Sequence, residues 1–287
     1  MRPYTPIWAP PLLRWAGSKR PLLPALLACV PRIYGSYVEP FLGSGCLFFA
    51  LKPRRALLGD FNFELIDTYR TIRKHPRRVA RAIALKGTRR SDYYAIRAQD
   101  PSTLSSIERA ARFVYLNRHC FNGVYRTNRE NQFNVPIGTR VGALPSERAF
   151  YRCSIALRAG QLIDADFRDT VARAKSGDFV YMDPPYSTST RPNHGEYGYG
   201  AFDSGRVEHL VRSLTDLHRR GAYVLLSYSA DPVVIDALSK SWSIVQYDVR
   251  RRIGGADARR PYAREILASN YVNIKEVTGN ILEQVAP

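Results

Sequence analysis

The sequence predicts an α/β fold built on parallel strands, and two observations lead to that prediction. A short apolar segment at 37–41 runs into a glycine-rich turn, and a helical segment at 47–51 and a second apolar segment at 56–58 follow it. This strand–helix–strand order implies parallel strands joined by a right-handed crossover. Apolar runs of strand length then recur at 161–163, 179–182 and 223–226. Together they indicate one sheet whose strands come from both ends of the chain.

The middle of the chain has a different character from the segments on either side. Helical, arginine-rich segments are predicted near 65–85 and 105–118, and a stretch dense in Asn, Gly and aromatic residues follows at 119–140. Near the C-terminus, 247–249 and 265–267 suit a closing antiparallel pair around a loop at 254–261. The sequence therefore predicts a core at 1–65 and 155–287, with a basic, mainly helical insertion at 66–154.

Composition narrows the class of protein. The 287 residues, 45% of them hydrophobic, are enough to bury a full core, and no apolar stretch approaches the roughly 20 residues of a membrane span. The first ten residues lack the continuous apolar stretch of a signal peptide, so a cytoplasmic protein is expected. The four cysteines show no CxxC spacing, which indicates neither a metal site nor a disulfide framework.

The positive charge is concentrated in one region. The formal net charge is +18, and residues 70–152 carry 18 Arg and Lys against 5 Asp and Glu, a local net charge of +13. Such clustering predicts a polyanionic partner, most simply nucleic acid. The alternative is a proteome that is arginine-rich throughout, which explains the sign of the charge better than its clustering.

Asp183, Pro184, Pro185 and Tyr186 directly follow the apolar run at 179–182. In α/β folds the chemistry lies where strands end. The prolines stiffen the backbone and remove two N–H donors, so carbonyl and carboxylate acceptors can face a ligand. These acceptors suit an exocyclic amine whose base stacks on the Tyr186 ring. The alternative is a proline-rich turn without a ligand.

The first strand-to-helix turn suits a nucleoside. Glu39, Phe41 and Gly43 belong to a turn whose glycines let a ligand approach the backbone and the following helix N-terminus. The turn has neither a Walker A lysine nor the full dinucleotide fingerprint. Asp60, at the end of the next strand, could accept both hydroxyls of a ribose. These features favour S-adenosylmethionine, although Asp60 could instead cap a helix at 62–70.

Two residues just upstream add to this cofactor site. Trp15 could pack on a ligand ring or sulfonium, and Lys19 could pair with a ligand carboxylate. A lone tryptophan is more commonly a packing residue, so Trp15 and Lys19 support the site only in combination with the turn and Asp60.

Six segments occur together in an order that resembles a known family. They are Trp-Ala-Gly-Ser-Lys (15–19), Glu-Pro-Phe-Leu-Gly-Ser-Gly (39–45), Gly-Asp-Phe-Asn (59–62), Phe-Asn-Gly-Val-Tyr-Arg-Thr-Asn (121–128), Phe-Asn-Val-Pro-Ile-Gly (133–138) and Asp-Pro-Pro-Tyr (183–186). Over roughly 12–270 the chain resembles the Dam-like adenine-N6 DNA methyltransferases of the D12 class, with α-type motif order. The resemblance implies a Rossmann-like S-adenosylmethionine-dependent core and an inserted target-recognition domain.

The resemblance also implies roles for individual residues. Trp15 and Lys19 would lie in the N-terminal cofactor motif, and Asp60 would bind the cofactor ribose. Asp183 would border the cofactor and serve catalysis. Asp166 and Phe167 match the position that cradles the cofactor adenine. Small departures, such as Ser18, Phe121 and Val124, leave the target sequence open.

The resemblance implies transfer of a methyl group to the exocyclic amine of adenine. Asp183 and the Pro184 carbonyl would hold the two N–H groups of adenine N6 and direct its lone pair at the methyl group, so transfer can be direct and in-line. The target adenine must be flipped from double-stranded DNA, at a cost of a few kcal/mol, which stacking on Tyr186 would partly offset. No metal is required.

Target recognition is expected from 118–138. Arg126 suits a bidentate contact to guanine, Asn122 an adenine edge or a phosphate, and Phe121 a wedge in the base stack. Asn128 belongs to the same motif. In relatives this motif accompanies sites that contain GAT, so a GATC-like site is expected.

Three alternative functions remain open: an RNA methyltransferase acting on a base amine, a cytosine-N4 enzyme, and a DNA-binding relative without catalysis. The insertion favours DNA over RNA. A monomer is expected, and the pattern leaves open a functional pairing with a restriction endonuclease.

Overall fold

A computed structural model describes residues 11–15, 17–128, 130, 132–139, 142–185, 204–250 and 262–282, with only the backbone of Arg250. Predictions that fall on Tyr186 and on the loop at 254–261 therefore lie outside the described residues. Within the described part, no helix has both the length and the apolar character needed to cross a membrane.

The described strands form one seven-stranded sheet. They are β1 (Tyr37–Glu39), β2 (Ala56–Asp60), β3 (Gly160–Asp164), β4 (Phe179–Met182), β5 (Tyr223–Ser229), β6 (Ser243–Arg250) and β7 (Tyr262–Ser269). Their order across the sheet is β3-β2-β1-β4-β5-β7-β6. The first five strands pair in parallel, and β7 pairs antiparallel with both β5 and β6. This confirms the predicted α/β class and the closing antiparallel pair.

Helices connect and cover the strands. They are α1 (Leu23–Ala28), α2 (Cys46–Leu51), α3 (Phe63–Lys74), α4 (Pro76–Ala84), α5 (Arg90–Ala98), α6 (Ser106–His119), α7 (Glu147–Leu157), α8 (Phe167–Ala172), α9 (Ser204–Arg219), α10 (Pro232–Leu238) and α11 (Ile274–Thr278). The strands were predicted better than the helices: α9, the longest of the described helices, was not predicted, and neither were α1, α5, α7, α8, α10 and α11. The described chain keeps its four cysteines free and buried.

The first strand is shorter than expected, because it ends at Glu39 rather than at residue 41. Pro40 has no N–H to donate to a sheet ladder, so the chain leaves the sheet there and enters the glycine-rich turn. The turn is therefore closer to the sheet edge than the sequence suggested.

Alternation along β4 divides the core into two layers. Phe179 and Tyr181 pack in the larger apolar cluster, whereas Val180 and Met182 pack in the cluster on the other face of the sheet. All four side chains are at most 2% exposed. Since side chains alternate along a strand, the next residue on the face of Tyr181 is Asp183.

The parallel strands end together at one edge of the sheet. β1 lies between β2 and β4, and the connections from β1 and β4 run to opposite sides, which makes the gap between them a topological switch point. The turn after β1, Asp60 at the end of β2 and Asp183 after β4 all lie at this edge. The sheet order thus explains why these three segments meet.

The insertion is helical, as predicted, and it shares the larger apolar cluster with the core. α3 packs against both β2 and β3 and against α6 and α7. The domain boundaries proposed from sequence, at 65/66 and 154/155, fall inside α3 and α7. The division at 66–154 therefore passes through two helices and remains a prediction about folding units.

Candidate methyl-transfer site

One cavity at the carboxyl edge of the sheet gathers most of the predicted cofactor and catalytic residues. Its lining includes Trp15, Lys19, Glu39, Phe41, Gly43, Asp60, Asp183 and Pro184. These residues come from four separate segments of the chain and meet only because β1, β2 and β4 are neighbours. Tyr186, the remaining predicted catalytic residue, lies outside the described residues.

Asp183 is held by an ion pair with Lys19. The Lys19 Nζ lies 2.7 Å from Asp183 Oδ1 and also donates to the Gly17 carbonyl oxygen at 3.1 Å. Burial raises the pKa of Asp183 to about 6, although the Lys19 charge acts in the opposite direction. Burial alone would lower the pKa of Lys19, but the Asp183 and Glu265 carboxylates raise it above its ordinary value. Lys19 therefore stays a cation and orients the Asp183 carboxylate.

Asp60 braces the glycine-rich turn against the end of β2. Its Oδ2 accepts from the Gly43 N–H and its Oδ1 from the Asn62 N–H, both at 2.9 Å. Burial raises the pKa of Asp60 to about 6, and these two hydrogen bonds partly offset the rise. The alternative that Asp60 caps the following helix is wrong. The Asn62 side chain caps α3 instead, by accepting from Leu65 N at 3.0 Å.

Glu39 lies buried beneath the cavity at the end of β1. It is 3% exposed, and its Oε2 accepts from the Tyr37 hydroxyl at 3.0 Å. Burial raises its pKa well above the ordinary value for a carboxyl group, and the nearby Asp183 and Asp60 charges raise it further. A cation entering the cavity would favour ionisation of this group.

Trp15 closes the cavity against the turn and links it to the insertion. A side chain on Gly43 would place its Cβ 2.8 Å from Trp15 Cδ1, and Gly43 also has a φ of +46°. The position therefore requires glycine for both reasons. On its other side Trp15 stacks on Tyr125, with ring centroids 6.3 Å apart and planes 13° apart.

Asp166 and Phe167 lie beside the cavity at the start of α8. The Asp166 side chain caps this helix by accepting from the Arg168 N–H. Phe167 is buried and stacks on Phe41, with ring centroids 5.0 Å apart. Phe41 lines the cavity and Phe167 does not, so Phe167 contributes to the cavity by supporting the Phe41 ring.

Two polar groups in the cavity wall were not predicted from sequence. The Tyr181 hydroxyl and the Asn62 Nδ2 are buried and have no hydrogen-bond partner within the described residues. Tyr181 is two residues before Asp183 on the same face of β4, which is the signal that could have identified it. Two unsatisfied buried groups facing one cavity favour a polar ligand there.

The insertion is fastened to the N-terminal cofactor motif by Asn117. This side chain is 1% exposed, accepts from Arg14 N at 2.8 Å and donates to the Arg14 carbonyl oxygen at 2.6 Å. A third bond reaches the Gly123 carbonyl oxygen at 3.4 Å. α6 therefore positions both Trp15 and the segment predicted to recognise DNA.

The predicted DNA-contacting residues cluster after α6. Phe121 is 40% exposed, and Asn122 adopts a left-handed conformation with φ of 54°. Arg126 is half-buried, and its Nε donates to Asn134 Oδ1 at 3.0 Å.

Asn128 takes part in the turn that follows. Its Oδ1 accepts from Gln132 N and Glu130 N, at 2.8 and 3.1 Å, and its Nδ2 donates to Gln132 Oε1 at 3.0 Å. A contact from Asn128 to DNA would have to replace some of these bonds.

Comparison with known proteins identifies the family that the sequence motifs predicted. Residues 15–253 match the family described as D12 class N6 adenine-specific DNA methyltransferase. The chain is 34% identical over 276 residues to the type II methyltransferase M1.LlaDCHI of Lactococcus lactis subsp. cremoris, covering 92% of this chain and 96% of that protein. It is 30% identical to the DNA adenine methylase of Serratia marcescens, covering 91% and 95%.

The DNA adenine methylase of Escherichia coli K12 is also 30% identical, over 261 residues, with 89% of this chain and 93% of that protein covered. These relatives confirm the predicted family and favour adenine in DNA over the RNA, cytosine and non-catalytic alternatives. The family match at 15–253 spans both the segments that line the cavity and residues 66–154. The chain belongs to the D12 class of N6 adenine-specific DNA methyltransferases.

Proposed function

We propose that the cavity binds S-adenosylmethionine and that its methyl group is transferred to N6 of an adenine flipped out of double-stranded DNA. The observation that carries this proposal is the meeting of Asp60, Lys19 and Asp183 around one cavity. The donor set fits this cofactor. Buried carboxylates suit its cationic amino and sulfonium groups, and the unsatisfied Tyr181 and Asn62 groups suit its polar atoms.

Individual residues are assigned by position and chemistry. Asp60 would accept the ribose hydroxyls, and Trp15 would pack along the ligand. Phe41, backed by Phe167, offers an aromatic face for the adenine ring, with Asp166 beside it. Glu39 would become ionised next to the cationic part of the cofactor, because an added positive charge lowers the pKa of a neighbouring carboxyl group.

Lys19 has a different role in this proposal from the one expected from sequence. Its ammonium holds Asp183 Oδ1, so its first task is to orient the catalytic carboxylate rather than to pair with a cofactor carboxylate. We assign Asp183 Oδ2 and the Pro184 carbonyl oxygen to the two N–H groups of adenine N6. The bound cofactor supplies an activated methyl group, and the chain supplies alignment of the amine.

We expect methyl transfer to slow as the pH falls through about 6. The ionised Asp183 is the stronger acceptor for the amine, and burial raises its pKa to about 6, so protonation at lower pH weakens the hold on the amine. The measurement is the single-turnover rate at saturating cofactor, which separates Asp183 from the titration of Asp60. A rate that stays constant down to about pH 5 would contradict the assignment.

The DNA partner is proposed to lie across the insertion and the cavity. Phe121 is exposed enough to enter the base stack, and Asn122 and Arg126 precede the turn that Asn128 closes. The excess positive charge of 70–152 would attract the phosphates. Tyr186, outside the described residues, is proposed to stack on the flipped base.

Replacing Arg126 by alanine is expected to relax specificity at one base pair. A bidentate arginine–guanine contact contributes about 1–3 kcal/mol of discrimination, whereas phosphate contacts elsewhere would be retained. The measurement is methylation rate on duplexes that differ by single base pairs in the target. Arg212→Ala, an exposed arginine on α9, is the control and should leave the ranking of duplexes unchanged.

The DNA sequence that the protein methylates can be determined directly. The protein is expressed in a host without DNA methylation, and the host DNA is sequenced with detection of modified bases. N6-methyladenine in a GATC-like site is the expected result. Methylcytosine, or an absence of modified bases from an expressed and folded protein, would overturn the proposed function.

We further propose that the enzyme acts as a monomer in the cytoplasm. Some relatives carry type II methyltransferase names, and others are named DNA adenine methylase. A functional pairing with a restriction endonuclease is therefore proposed alongside a solitary role. A nuclease that cleaves only the unmethylated form of the sequence identified above would establish the pairing.

A further inference from the structure

A buried carboxylate on β7 lies near the catalytic pair, and no motif drew attention to it. Glu265 is 6% exposed, and its Oε2 accepts from the hydroxyl of Tyr247 at 3.1 Å. Tyr247 is on β6, directly opposite Glu265 in the antiparallel ladder, and is itself 7% exposed. A buried carboxylate is costly unless it interacts with a cation.

The sheet topology places Glu265 at the catalytic edge. β7 runs antiparallel to its neighbours, so it begins where the parallel strands end. Glu265 pairs with Ser229 at the carboxyl end of β5, and β5 in turn pairs with β4, which Asp183 follows. The C-terminal part of the chain thus contributes a charge to an edge otherwise built from earlier segments.

The electrostatics connect this carboxylate with the catalytic pair. Burial lowers the pKa of Lys19. The charges of Asp183 and Glu265 act in the opposite direction and raise it, with a smaller contribution from Tyr247. Glu265 also raises the pKa of Asp183, to which Lys19 is bonded. One ammonium therefore interacts with two carboxylates, and the strand pairing brings both of them to the same edge of the sheet.

We propose that Glu265 is a positioning residue for methyl transfer, whose negative charge holds the Lys19 ammonium against Asp183; this inference rests on the transfer proposed above. Tyr247 orients the Glu265 carboxylate through its hydrogen bond. In this arrangement the Asp183 carboxylate keeps one orientation towards the amine, and Glu265 itself does not touch the substrate.

The test compares two changes that separate charge from shape. Glu265→Gln keeps the length of the side chain and an oxygen that can accept from Tyr247 but removes the charge, whereas Glu265→Asp keeps the charge and shortens the side chain. We expect Glu265→Gln to lower the single-turnover transfer rate by about 10- to 100-fold, as misalignment of a reacting group does. Glu265→Asp should lower the transfer rate less than Glu265→Gln does. The affinity of both variants for DNA should be unchanged.

Asp178→Asn is the matched control. Asp178 is 7% exposed and accepts from Ser36 N and Lys175 N before the start of β4, so it is a buried carboxylate with a purely structural environment. This variant should lose stability but keep its transfer rate within about twofold. A control that slows as much as Glu265→Gln would overturn the inference.

Two further results would also overturn it: a Glu265→Gln variant that transfers within about twofold of the wild type, or a Glu265→Asp variant slower than Glu265→Gln. The second result would show that shape matters and charge does not. Wild-type protein is assayed in parallel with Asp183→Ala. If the wild type fails to methylate, the transfer itself is overturned; if the wild type is active and Asp183→Ala is not, any failure belongs to Glu265 alone.

Discussion

Replacing Asp183 by alanine is expected to abolish methyl transfer, a loss of more than about 1,000-fold, while DNA binding is retained. The variant removes the proposed acceptor of the adenine amine, and it also removes the carboxylate that the Lys19 ammonium contacts at 2.7 Å. The proposed DNA contacts come from residues 121–128, which this change does not touch. Transfer is measured with labelled cofactor under single-turnover conditions, and DNA affinity by a direct binding titration.

The alanine variant has a cost in stability that the experiment must separate from catalysis. Removing Asp183 from this partly buried ion pair leaves the Lys19 ammonium with one carboxylate fewer and is expected to be destabilising. Transfer is therefore measured well below the melting temperature of the variant. Asp183→Asn, which keeps the shape of the side chain, should be less destabilised but equally unable to provide a negatively charged acceptor.

Asp164→Ala is the matched control for Asp183. Asp164 ends β3 at the same edge of the sheet, and its exposed carboxylate pairs with Arg70 at 2.7 Å. Exposed ion pairs contribute at most about 1 kcal/mol, so this variant should fold and transfer methyl groups almost normally. Normal turnover by Asp183→Ala would contradict the catalytic assignment.

Replacing Asn117 by alanine is expected to lower the free energy of unfolding by about 2–4 kcal/mol. The change removes three hydrogen bonds and leaves the backbone N–H and carbonyl oxygen of Arg14 without these partners. Trp15 follows Arg14 directly, so the affinity for S-adenosylmethionine should fall as well. Urea unfolding measures the first effect and a binding titration measures the second.

Asn273→Ala is the control for this prediction. Asn273 is exposed, and its side chain donates only to Glu276 among the bonds described for it. Asn273 is the N-cap residue of α11, but its side chain makes no capping hydrogen bond, so this change should alter stability by less than about 1 kcal/mol. If Asn117→Ala were as mild as Asn273→Ala, the proposed fastening of the insertion to the cofactor motif would be wrong.

The parts of the fold that the sequence predicted are those with a strong local signal. β2, β4 and β5 are short apolar runs bounded by polar or glycine residues, and each was found close to its predicted position. Asp60 and Asp183 follow such runs, so their place at the sheet edge could be deduced without coordinates. α9 was missed although its buried residues, Val207, Leu210, Leu214 and Leu217, follow helical spacing. The nine-residue α5 buries only Tyr93 and Ile96, so its apolar periodicity is short and weak.

The contacts within the site could not be predicted in the same way. Lys19 and Asp183 are 164 positions apart in the chain, and Asn117 binds a residue 103 positions before it. No local pattern indicates which distant partner a polar side chain will meet. The role of Glu265 was hidden for the same reason, since a single charge near the start of a strand ordinarily faces solvent.

The sequence by itself determined the family, the α/β class, the basic insertion and the residue types needed to bind a nucleoside and an amine. Those properties depend on composition and short motifs, which are local. Only the tertiary structure decided that Lys19 binds Asp183, that Asn62 rather than Asp60 caps α3, and that β7 brings Glu265 to the catalytic edge. These outcomes depend on which strands become neighbours and on the need of each buried polar group for a partner, and both conditions are set by the whole chain.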